Sequence, residues 1–200
     1  MSHLLRNRYI TGFTAVVFSI LLSGCAATGA GLDPVKGLDE KQSDAIVIGK
    51  IRLIKNGDEV ALGDGMFSTA PRVHMVDVRN DRSVRAKVGD NGEFAWPLQA
   101  EYYNVTGIEF LVNGQQILFP TYLTFAPSST KDATYVGTIT LDMDVDTGFY
   151  GVTAKAASMN ISDECNSMCD RHLANLGLDR NDLDIGLVRP DVSLATAQNH

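Results

Sequence analysis

Residues 45–156 alternate between short runs rich in β-branched and aromatic residues and clusters of turn residues. Asn56-Gly57 and Asn113-Gly114 each separate two such runs, and Asn-Gly tolerates the positive φ angles that a tight hairpin turn needs. The runs are, in order, 45–55, 59–62, 72–78, 84–88, 93–98, 102–112, 115–119, 122–126, 134–144 and 150–154. Short strands at this spacing, without a helical repeat, predict a mainly β protein with an antiparallel β-sandwich over residues 45–156.

One hairpin in this region adds a resemblance to a known family. The stretch G-D-N-G-E-F-A-W-P-L (residues 89–98), followed by Y-Y-N-V (102–105), resembles the hairpin of carboxypeptidase regulatory-like, transthyretin-like domains. Ala100-Glu101 stands where a Pro-Gly turn is usual in that family. The resemblance implies a transthyretin-like sandwich with an accessory binding or spacer role, and no activity. Phe94 and Trp96, two residues apart, are expected to share one buried face.

The N-terminus has the parts of a bacterial signal peptide over residues 1–24. Arg6 and Arg8 form a positive start, and residues 10–22 are an apolar run shorter than the roughly 20 residues of a membrane span. The run ends in Leu22-Ser23-Gly24-Cys25, which resembles the lipobox of bacterial lipoproteins. That resemblance implies cleavage before Cys25 and acylation of its thiol and new amino group, with palmitate among the acyl chains. An ordinary secretory signal, or a core helix ending in Cys, is the alternative.

The resemblance to lipoproteins also implies a location. Ala26, rather than Asp, follows Cys25, and this sorting pattern implies the outer membrane, with the domain facing the periplasm. Residues 25–44 are rich in Gly and small or polar residues, which predicts a flexible tether. The expected organisation after the sandwich is a C-terminal helical segment at 157–185 and a polar tail at 186–200.

Charge limits the partners that we expect. Arg6 and Arg8 are two of 17 basic residues, and all 24 acids follow Cys25, so the processed chain has a net charge of −9 with His neutral. Such acidity is typical of a soluble surface and predicts no nucleic-acid partner and no basic stripe. The expected partners are the membrane, through the acyl chains alone, and an envelope protein.

Cys165, Cys169 and His172 are the constellation with the most chemical interest. They lie on one face of a predicted amphipathic helix, together with Ile161, Met168, Leu173 and Leu176, and Gly177 suits the position after its last turn. Since lipid would consume Cys25, the remaining two cysteines form an even pair in an oxidising compartment, which favours a disulfide.

Helix geometry argues against that disulfide. Residues four apart in a regular helix hold their Cβ atoms about 5–6 Å apart, whereas a disulfide needs about 3.8 Å. A helix that begins near Met168, capped by Ser167 and Asp170, would leave Cys165 outside it and permit the bond. The alternatives are two buried free thiols, or a Cys-Cys-His metal site whose fourth ligand is not evident.

Other candidates have simpler explanations. His74 lies on the strand face opposite Val73 and Met75 and is expected to face solvent. Asp142, Asp144 and Asp146 alternate with apolar residues as in a half-buried strand, and the positions of an EF-hand Gly and Glu are occupied by Thr147 and Thr153. The sequence contains no G-x-S-x-G, P-loop, dinucleotide-binding or H-E-x-x-H motif.

The sequence thus predicts a lipid-anchored envelope protein that acts as a non-catalytic binding or structural module, with no cofactor. The alternative is a periplasmic metal-handling or redox protein that uses Cys165, Cys169 and His172. A hydrolase would need a polar pocket around His74 or His172.

Overall fold

The structure is a computed structural model that describes residues 32–38, 43–62, 69–112, 114–148 and 151–190. Cys25, the predicted signal peptide and residues 191–200 lie outside the described residues. The strands are β1 (Val35–Lys36), β2 (Ala45–Lys55), β3 (Asp58–Val60), β4 (Thr69–Asp77), β5 (Arg82–Lys87), β6 (Glu93–Leu98), β7 (Tyr103–Val112), β8 (Gln115–Phe125), β9 (Ala133–Gly148), β10 (Gly151–Ser162), β11 (Leu183–Ile185) and β12 (Arg189–Pro190). One α-helix, α1 (Asn166–Leu176), and a 3-10 turn, Arg180–Asp182, complete the described elements.

The strands form two sheets packed face to face. Sheet A has the order β1-β5-β4-β7-β8-β12, and every neighbouring pair in it is antiparallel. Sheet B has the order β10-β9-β2-β3, with β6 also paired to β2 and β11 to β9. The predicted class, a mainly β sandwich with one C-terminal helix, is confirmed. Sheet B, however, is mixed rather than antiparallel, because β9 runs parallel to both β2 and β11.

The main core lies between the sheets and includes the predicted aromatic pair. Phe94 and Trp96 are 0% and 2% exposed, and their rings stack with centroids 3.7 Å apart. The Trp96 indole N–H donates to the Lys87 carbonyl oxygen at 2.6 Å, so its polar atom is satisfied although the ring is buried. The prediction of one shared buried face is therefore confirmed.

A glycine makes room for this aromatic pair. Gly49 lies opposite Phe94 in the β2–β6 register, and a Cβ atom at Gly49 would lie 2.4 Å from Phe94 Cζ. Because heavy atoms cannot approach this closely, the ring of Phe94 occupies the space that a side chain at Gly49 would need. The register of β2 against β6 therefore depends on the absence of a side chain there.

The Asn56-Gly57 hairpin follows its sequence signal. Asn56 has φ 52° and Gly57 has φ 92°, the positive angles of a tight hairpin turn between β2 and β3. Strands β2 and β6 also have the predicted bounds.

Part of the predicted tether belongs to the sandwich. The Asp33 N–H donates to the Ala95 carbonyl oxygen at 2.8 Å, and the Pro34 carbonyl oxygen accepts the Lys87 N–H at 3.0 Å. Val35 then pairs with Ala86 in β1. The prediction of a flexible chain over all of 25–44 is corrected at 32–38, because these backbone groups find partners on β5 and β6.

The helical segment is shorter than its predicted bounds of 157–185. Strand β10 continues to Ser162, so Ile161 lies in a strand, and only Asn166–Leu176 is α-helix. Gly177 follows the helix with φ 71°, as predicted for the position after its last turn. No helix among the described residues is long and apolar enough to cross a bilayer.

The predicted polar tail at 186–200 also begins inside the fold. Val188 is 4% exposed, and its N–H donates to the Val136 carbonyl oxygen at 2.9 Å. Arg189 then pairs with Thr124 of β8. Residues 183–190 therefore run from the edge of sheet B to the edge of sheet A, and the buried side chain of Val188 packs between the sheets.

Candidate functional site

Helix α1, which carries the predicted site residues, covers the outer face of sheet B. Ile48, Ala95 and Tyr135 point away from the main core and are each 0% exposed. They form a second apolar cluster with Cys169 and Leu173 of the helix, which are 0% and 1% exposed. The helix is therefore held by its apolar face, as amphipathic surface helices usually are.

Cys165 and Cys169 lie at disulfide distance, with 2.16 Å between their Sγ atoms. As predicted for the bonded form, Cys165 lies outside the helix, but α1 begins at Asn166, two residues before Met168, and the predicted cap by Ser167 and Asp170 is wrong because no side chain caps it. Cys165 is the residue just before the helix and already has helical dihedral angles, φ −58° and ψ −31°. The Cys169 N–H donates to the Cys165 carbonyl oxygen at 2.8 Å.

The disulfide forms at the start of the helix, although residues four apart in a regular helix were expected to lie too far apart for it. The Cα atoms of Cys165 and Cys169 are 5.1 Å apart, within the usual range of about 4.4–6.8 Å for disulfides. The first helical turn can thus hold the bonded pair without the chain leaving helical geometry. Four residues of a regular helix rise about 6 Å along its axis, so the 5.1 Å between these Cα atoms marks a tightened first turn that brings the two side chains closer together.

Arg180 braces the disulfide end of the helix. Its Nη1 lies 3.3 Å from Cys165 Sγ, its Nη2 donates to the Asn166 carbonyl oxygen at 2.8 Å, and its Nε donates to Asp170 Oδ1 at 2.6 Å. This last hydrogen bond lowers the pKa of the Asp170 carboxyl. The 3-10 turn that carries Arg180 begins with a capping box between Asp179 and Asp182. Arg180 is not evident as a site residue from the sequence, although the D-R-N-D pattern of that box is visible there.

A second polar contact holds the chain that leads into the helix. Glu164 accepts hydrogen bonds from Arg52 Nη1 at 2.9 Å and from Nη2 at 2.6 Å. The Arg52 hydrogen bonds lower the pKa of Glu164 and outweigh its burial. The Glu164 N–H donates to the Tyr135 hydroxyl at 2.9 Å. Such a two-point pair holds the guanidinium and carboxylate in one plane and so orients the loop before Cys165.

His172 lies against acids and not against the cysteines. Its side chain is 13% exposed, and its Nε2 lies 3.4 Å from Glu93 Oε2. Burial lowers the pKa of His172, and Glu93 opposes this only in part. Burial would raise the pKa of Glu93, but its hydrogen bond with Arg171 and nearby positive charges lower it instead. Asp33 also faces this cluster, and burial raises its pKa.

The predicted metal ligands are not brought together. Among the residues that the structure describes, no group of three or more His, Cys, Asp or Glu side chains is placed to hold a metal ion. Cys165 and Cys169 contact each other, while His172 contacts Glu93.

His74 lies on the outer face of sheet A, opposite buried Val73 and Met75, as predicted for a strand. It is only partly exposed, at 23%, and its Nε2 lies 2.9 Å from Glu109 Oε2. Arg72 Nη1 donates to the other oxygen of Glu109 at 2.8 Å. Burial would raise the pKa of Glu109, but the hydrogen bonds with these two residues outweigh burial and lower it.

The same face collects basic side chains from three strands. Lys36, Arg72, His74, Arg85 and Lys87 occupy outward positions on β1, β4 and β5, and together they are called the basic face below. The expectation of no basic stripe is therefore wrong. The sequence contains no basic run because the residues come from three separated segments and alternate with buried ones, as in R-A-K of β5.

Asp142, Asp144 and Asp146 lie on β9, and not in a loop. Leu141 and Met143 between them are 1% and 0% exposed, while Asp144 and Asp146 are exposed. The alternation predicted for a half-buried strand is thus present as far as Asp144, and the side chain of Val145 lies outside the described residues.

Comparison of the chain with protein-family models, with curated proteins and with solved structures gives no match. Functional residues are therefore inferred from the arrangement of side chains in the structure. In the described part of the chain, both histidines pair with glutamates, an arrangement that holds charge in place and does not by itself activate a hydroxyl or thiol.

Proposed function

We propose that this protein is a lipid-anchored module of the bacterial envelope that binds a partner and carries out no chemistry of its own. In this proposal Cys25 is acylated and attached to the outer membrane, and the sandwich faces the periplasm. The transthyretin-like hairpin noted in the sequence agrees with an accessory binding role.

The observation that supports this proposal best is the cysteine pair in α1. Disulfides persist in oxidising compartments such as the bacterial periplasm and are rare in the cytosol. With Cys165 and Cys169 at disulfide distance, Cys25 is the remaining cysteine of the chain. The paired Cys165 and Cys169 therefore agree with export of the protein, and the remaining Cys25 agrees with acylation of its thiol.

The position of the first described residues is also consistent with anchoring. Asp33 and Val35 are hydrogen-bonded to the sandwich, so only a short stretch of sequence separates the described domain from Cys25. Residues 25–32 can span at most roughly 28 Å, because an extended chain covers about 3.5 Å per residue. An anchor at Cys25 would thus keep the domain close to the membrane.

The alternative function, metal handling or redox chemistry by Cys165, Cys169 and His172, has less support. A Cys-Cys-His site needs two free thiolates, whereas the two sulfur atoms contact each other. Titration of free thiols and metal analysis of the purified protein distinguish the two functions. We expect no free thiol in the chain from residue 26 onward and no bound metal; two free thiols with stoichiometric metal would favour the alternative.

Labelling with a radioactive fatty acid tests the anchor. The wild-type protein should incorporate label and fractionate with the outer membrane, whereas Cys25→Ser should lose the label and accumulate as precursor. Cys169→Ser is the matched control, because it also replaces one cysteine by serine but should keep the label. If Cys25→Ser is labelled and fractionates like the wild type, the proposed anchoring is wrong.

A further inference from the structure

We infer that the basic face of sheet A is a docking surface for an anionic lipid membrane. The inference rests on the lipid anchoring proposed above for its biological setting, but the binding itself needs no acyl chain. Four features of this face support it: the pairing of like charges, the scarcity of acids, one exposed leucine and the position of the tether.

Like charges lie directly opposite one another on this face. Lys36 pairs with Arg85, and His74, which adds charge only when it is protonated, lies opposite Arg85 on the next strand. One row further, Lys87 pairs with Arg72. Directly opposed side chains in antiparallel strands have Cβ atoms about 4.5–5.5 Å apart, and like charges at that distance destabilise the sheet. The face thus concentrates positive charge at some cost in stability.

Acids do little to neutralise this charge. Glu109 and Asp77 are the acids within the strands of sheet A; Glu109 contacts Arg72 and His74, and Asp77 is buried. Within the described residues, no carboxylate forms an ion pair with Lys36, Arg85 or Lys87, although Asp33, which lies outside the strands, interacts electrostatically with Lys87 from beyond ion-pair distance. The basic face is therefore positively charged on a chain whose net charge from residue 25 onward is −9. A positive face on an acidic domain orients it toward a negative surface.

One exposed apolar side chain, Leu118, lies beyond Glu109 at the other side of the basic face. The row that begins with Lys87 and Arg72 continues through Glu109 to Leu118 of β8. Leu118 is 54% exposed, an unusual value for a leucine in the middle of a strand. Basic residues beside exposed apolar ones are typical of surfaces that lie on anionic lipid, where the charges meet headgroup phosphates and the apolar groups reach the acyl boundary.

The tether reaches the domain beside this face. Pro34 accepts a hydrogen bond from Lys87, and Lys36 itself is part of β1, the edge strand of sheet A. An anchor at Cys25 would hold Pro34 within roughly 32 Å of the membrane, because an extended chain covers about 3.5 Å per residue. This proximity favours lipid over a soluble polyanion as the occupant of the basic face.

Sedimentation with vesicles tests the inference without the anchor. The protein is the chain from residue 25 onward carrying Cys25→Ser, so that no acyl chain contributes. It should bind vesicles of phosphatidylcholine mixed with phosphatidylglycerol, and not vesicles of phosphatidylcholine alone. Binding should disappear at high salt, because 1 M salt reduces the Debye length to about 3 Å.

The variant Lys36→Gln/Arg85→Gln/Lys87→Gln removes the unpaired charges. Each basic side chain near an anionic surface contributes about fivefold, so the partition coefficient should fall by about a hundredfold. The melting temperature of this variant should stay the same or rise, because repulsion within the face is relieved. A control with the same change in net charge, Lys50→Gln/Lys131→Gln/Arg171→Gln, alters the sheet B side of the domain and should leave binding within about twofold.

Several results would overturn the inference. These are absence of binding to the anionic vesicles, equal binding to both vesicle types, or equal loss of binding in the variant and its control. Tighter binding to heparin or duplex DNA than to the vesicles would assign the face to a polyanion. Self-association that the triple variant abolishes, without vesicle binding, would assign it to a second copy of the chain. Because the assay contains no lipidated protein, none of these results depends on whether Cys25 is acylated.

Discussion

Sheet A and sheet B each turn one side toward the shared core and one side away from it, and these two outer faces differ in composition and in cover. The outer face of sheet B has Ile48, Ala95 and Tyr135 at its centre, and α1 lies over them. The outer face of sheet A has Arg72, His74 and other polar groups at its centre, and the described residues place no helix on it. The position of the one helix thus follows from which outer face is apolar.

With the docking inferred above, the two outer faces have different roles, because the outer face of sheet B contributes to stability and the outer face of sheet A to binding. The outer face of sheet B under α1, called the covered face below, stabilises the folded protein because its apolar side chains are buried. The basic face instead keeps opposed like charges, which lower the stability of the sheet. Substitutions on the covered face should therefore change the free energy of unfolding, and those on the basic face should change binding.

The largest expected effect separates two leucines on these faces. Leu173 of α1 is 1% exposed, whereas Leu118 of β8 is 54% exposed. Leu173→Ala should lower the free energy of unfolding by about 2–5 kcal/mol, because it leaves a cavity under the helix. Leu118→Ala should change it by about 0.5 kcal/mol or less. Denaturant melts of both variants measure the two values, and a similar loss for both would remove the distinction between the faces.

The disulfide should strengthen only the covered face. We expect Cys165→Ala/Cys169→Ala to lose less than about 3 kcal/mol, because the loop that it closes is much shorter than 15 residues. Amide hydrogen exchange should speed up in α1, which the disulfide ties to the loop after β10, and stay unchanged in β4 and β7 of sheet A. Faster exchange throughout both sheets would mean that the helix is needed for the whole sandwich.

Acid should weaken the covered face through His172. Burial lowers the pKa of His172 below its ordinary value of 6.5, so as the pH falls through 6.5 the unfolded chain binds a proton before the folded protein does. Stability should therefore fall below pH 6.5 with a slope of at most about 1.4 kcal/mol per pH unit, the value for one proton.

His172→Gln is the control for that slope. The variant keeps a polar side chain at the site but cannot bind the proton, so the difference between wild type and variant isolates His172 from Glu93 and Asp33. Glu93, with its lowered pKa, contributes stability that is lost only as the pH falls below its ordinary value of 4.5, whereas the raised pKa of Asp33 makes stability increase as the pH falls. Parallel stability curves for the two proteins between about pH 7 and 5 would contradict a role for His172.

The smallest effect is expected on the basic face. Glu109 bridges Arg72 and His74, and its own side chain is 12% exposed while theirs are 48% and 23% exposed. Solvent at the two partners keeps these ion pairs near the roughly 0.2–1 kcal/mol of surface pairs. Glu109→Gln should therefore lower the free energy of unfolding by no more than about 1 kcal/mol. In the vesicle assay the same change should strengthen binding, since it removes the acid that offsets the face. Weaker binding would indicate that Glu109 positions the side chains of Arg72 and His74 for lipid and does not only reduce the positive charge of the face.

The sequence predicted the parts of this fold that local chemistry determines. The bounds of β2 and β6 follow from a β-rich run and its turn residues, and the turn at Asn56 and Gly57 follows from their tolerance of positive φ angles. The stacking of Phe94 on Trp96 follows from alternation within one strand.

What the sequence did not predict depends on contacts between distant segments. Strands β1, β11 and β12 contain two or three residues each, too few to show a period of two, and exist because neighbouring strands supply hydrogen bonds. The parallel pairing of β2 with β9 leaves no local signal either. The basic face has the same origin, because Lys36, Arg72 and Arg85 become neighbours only when three strands align. Within the disulfide site, the cysteine pair was predicted, but the start of α1 was not.

The strand order has a consequence in time as well as in space. Strand β2 is the first long strand along the chain, yet its long parallel partner is β9, so that Ile46 pairs with Ala133. A chain that emerges N-terminus first must keep β2 without this partner until most of its length has appeared. The last described segment, with Val188 and Arg189, then joins the two sheets. Because contacts between distant segments slow folding, we expect β2 to remain unpaired with β9 during synthesis. In that interval the exposed strand must be kept from pairing with other polypeptide chains.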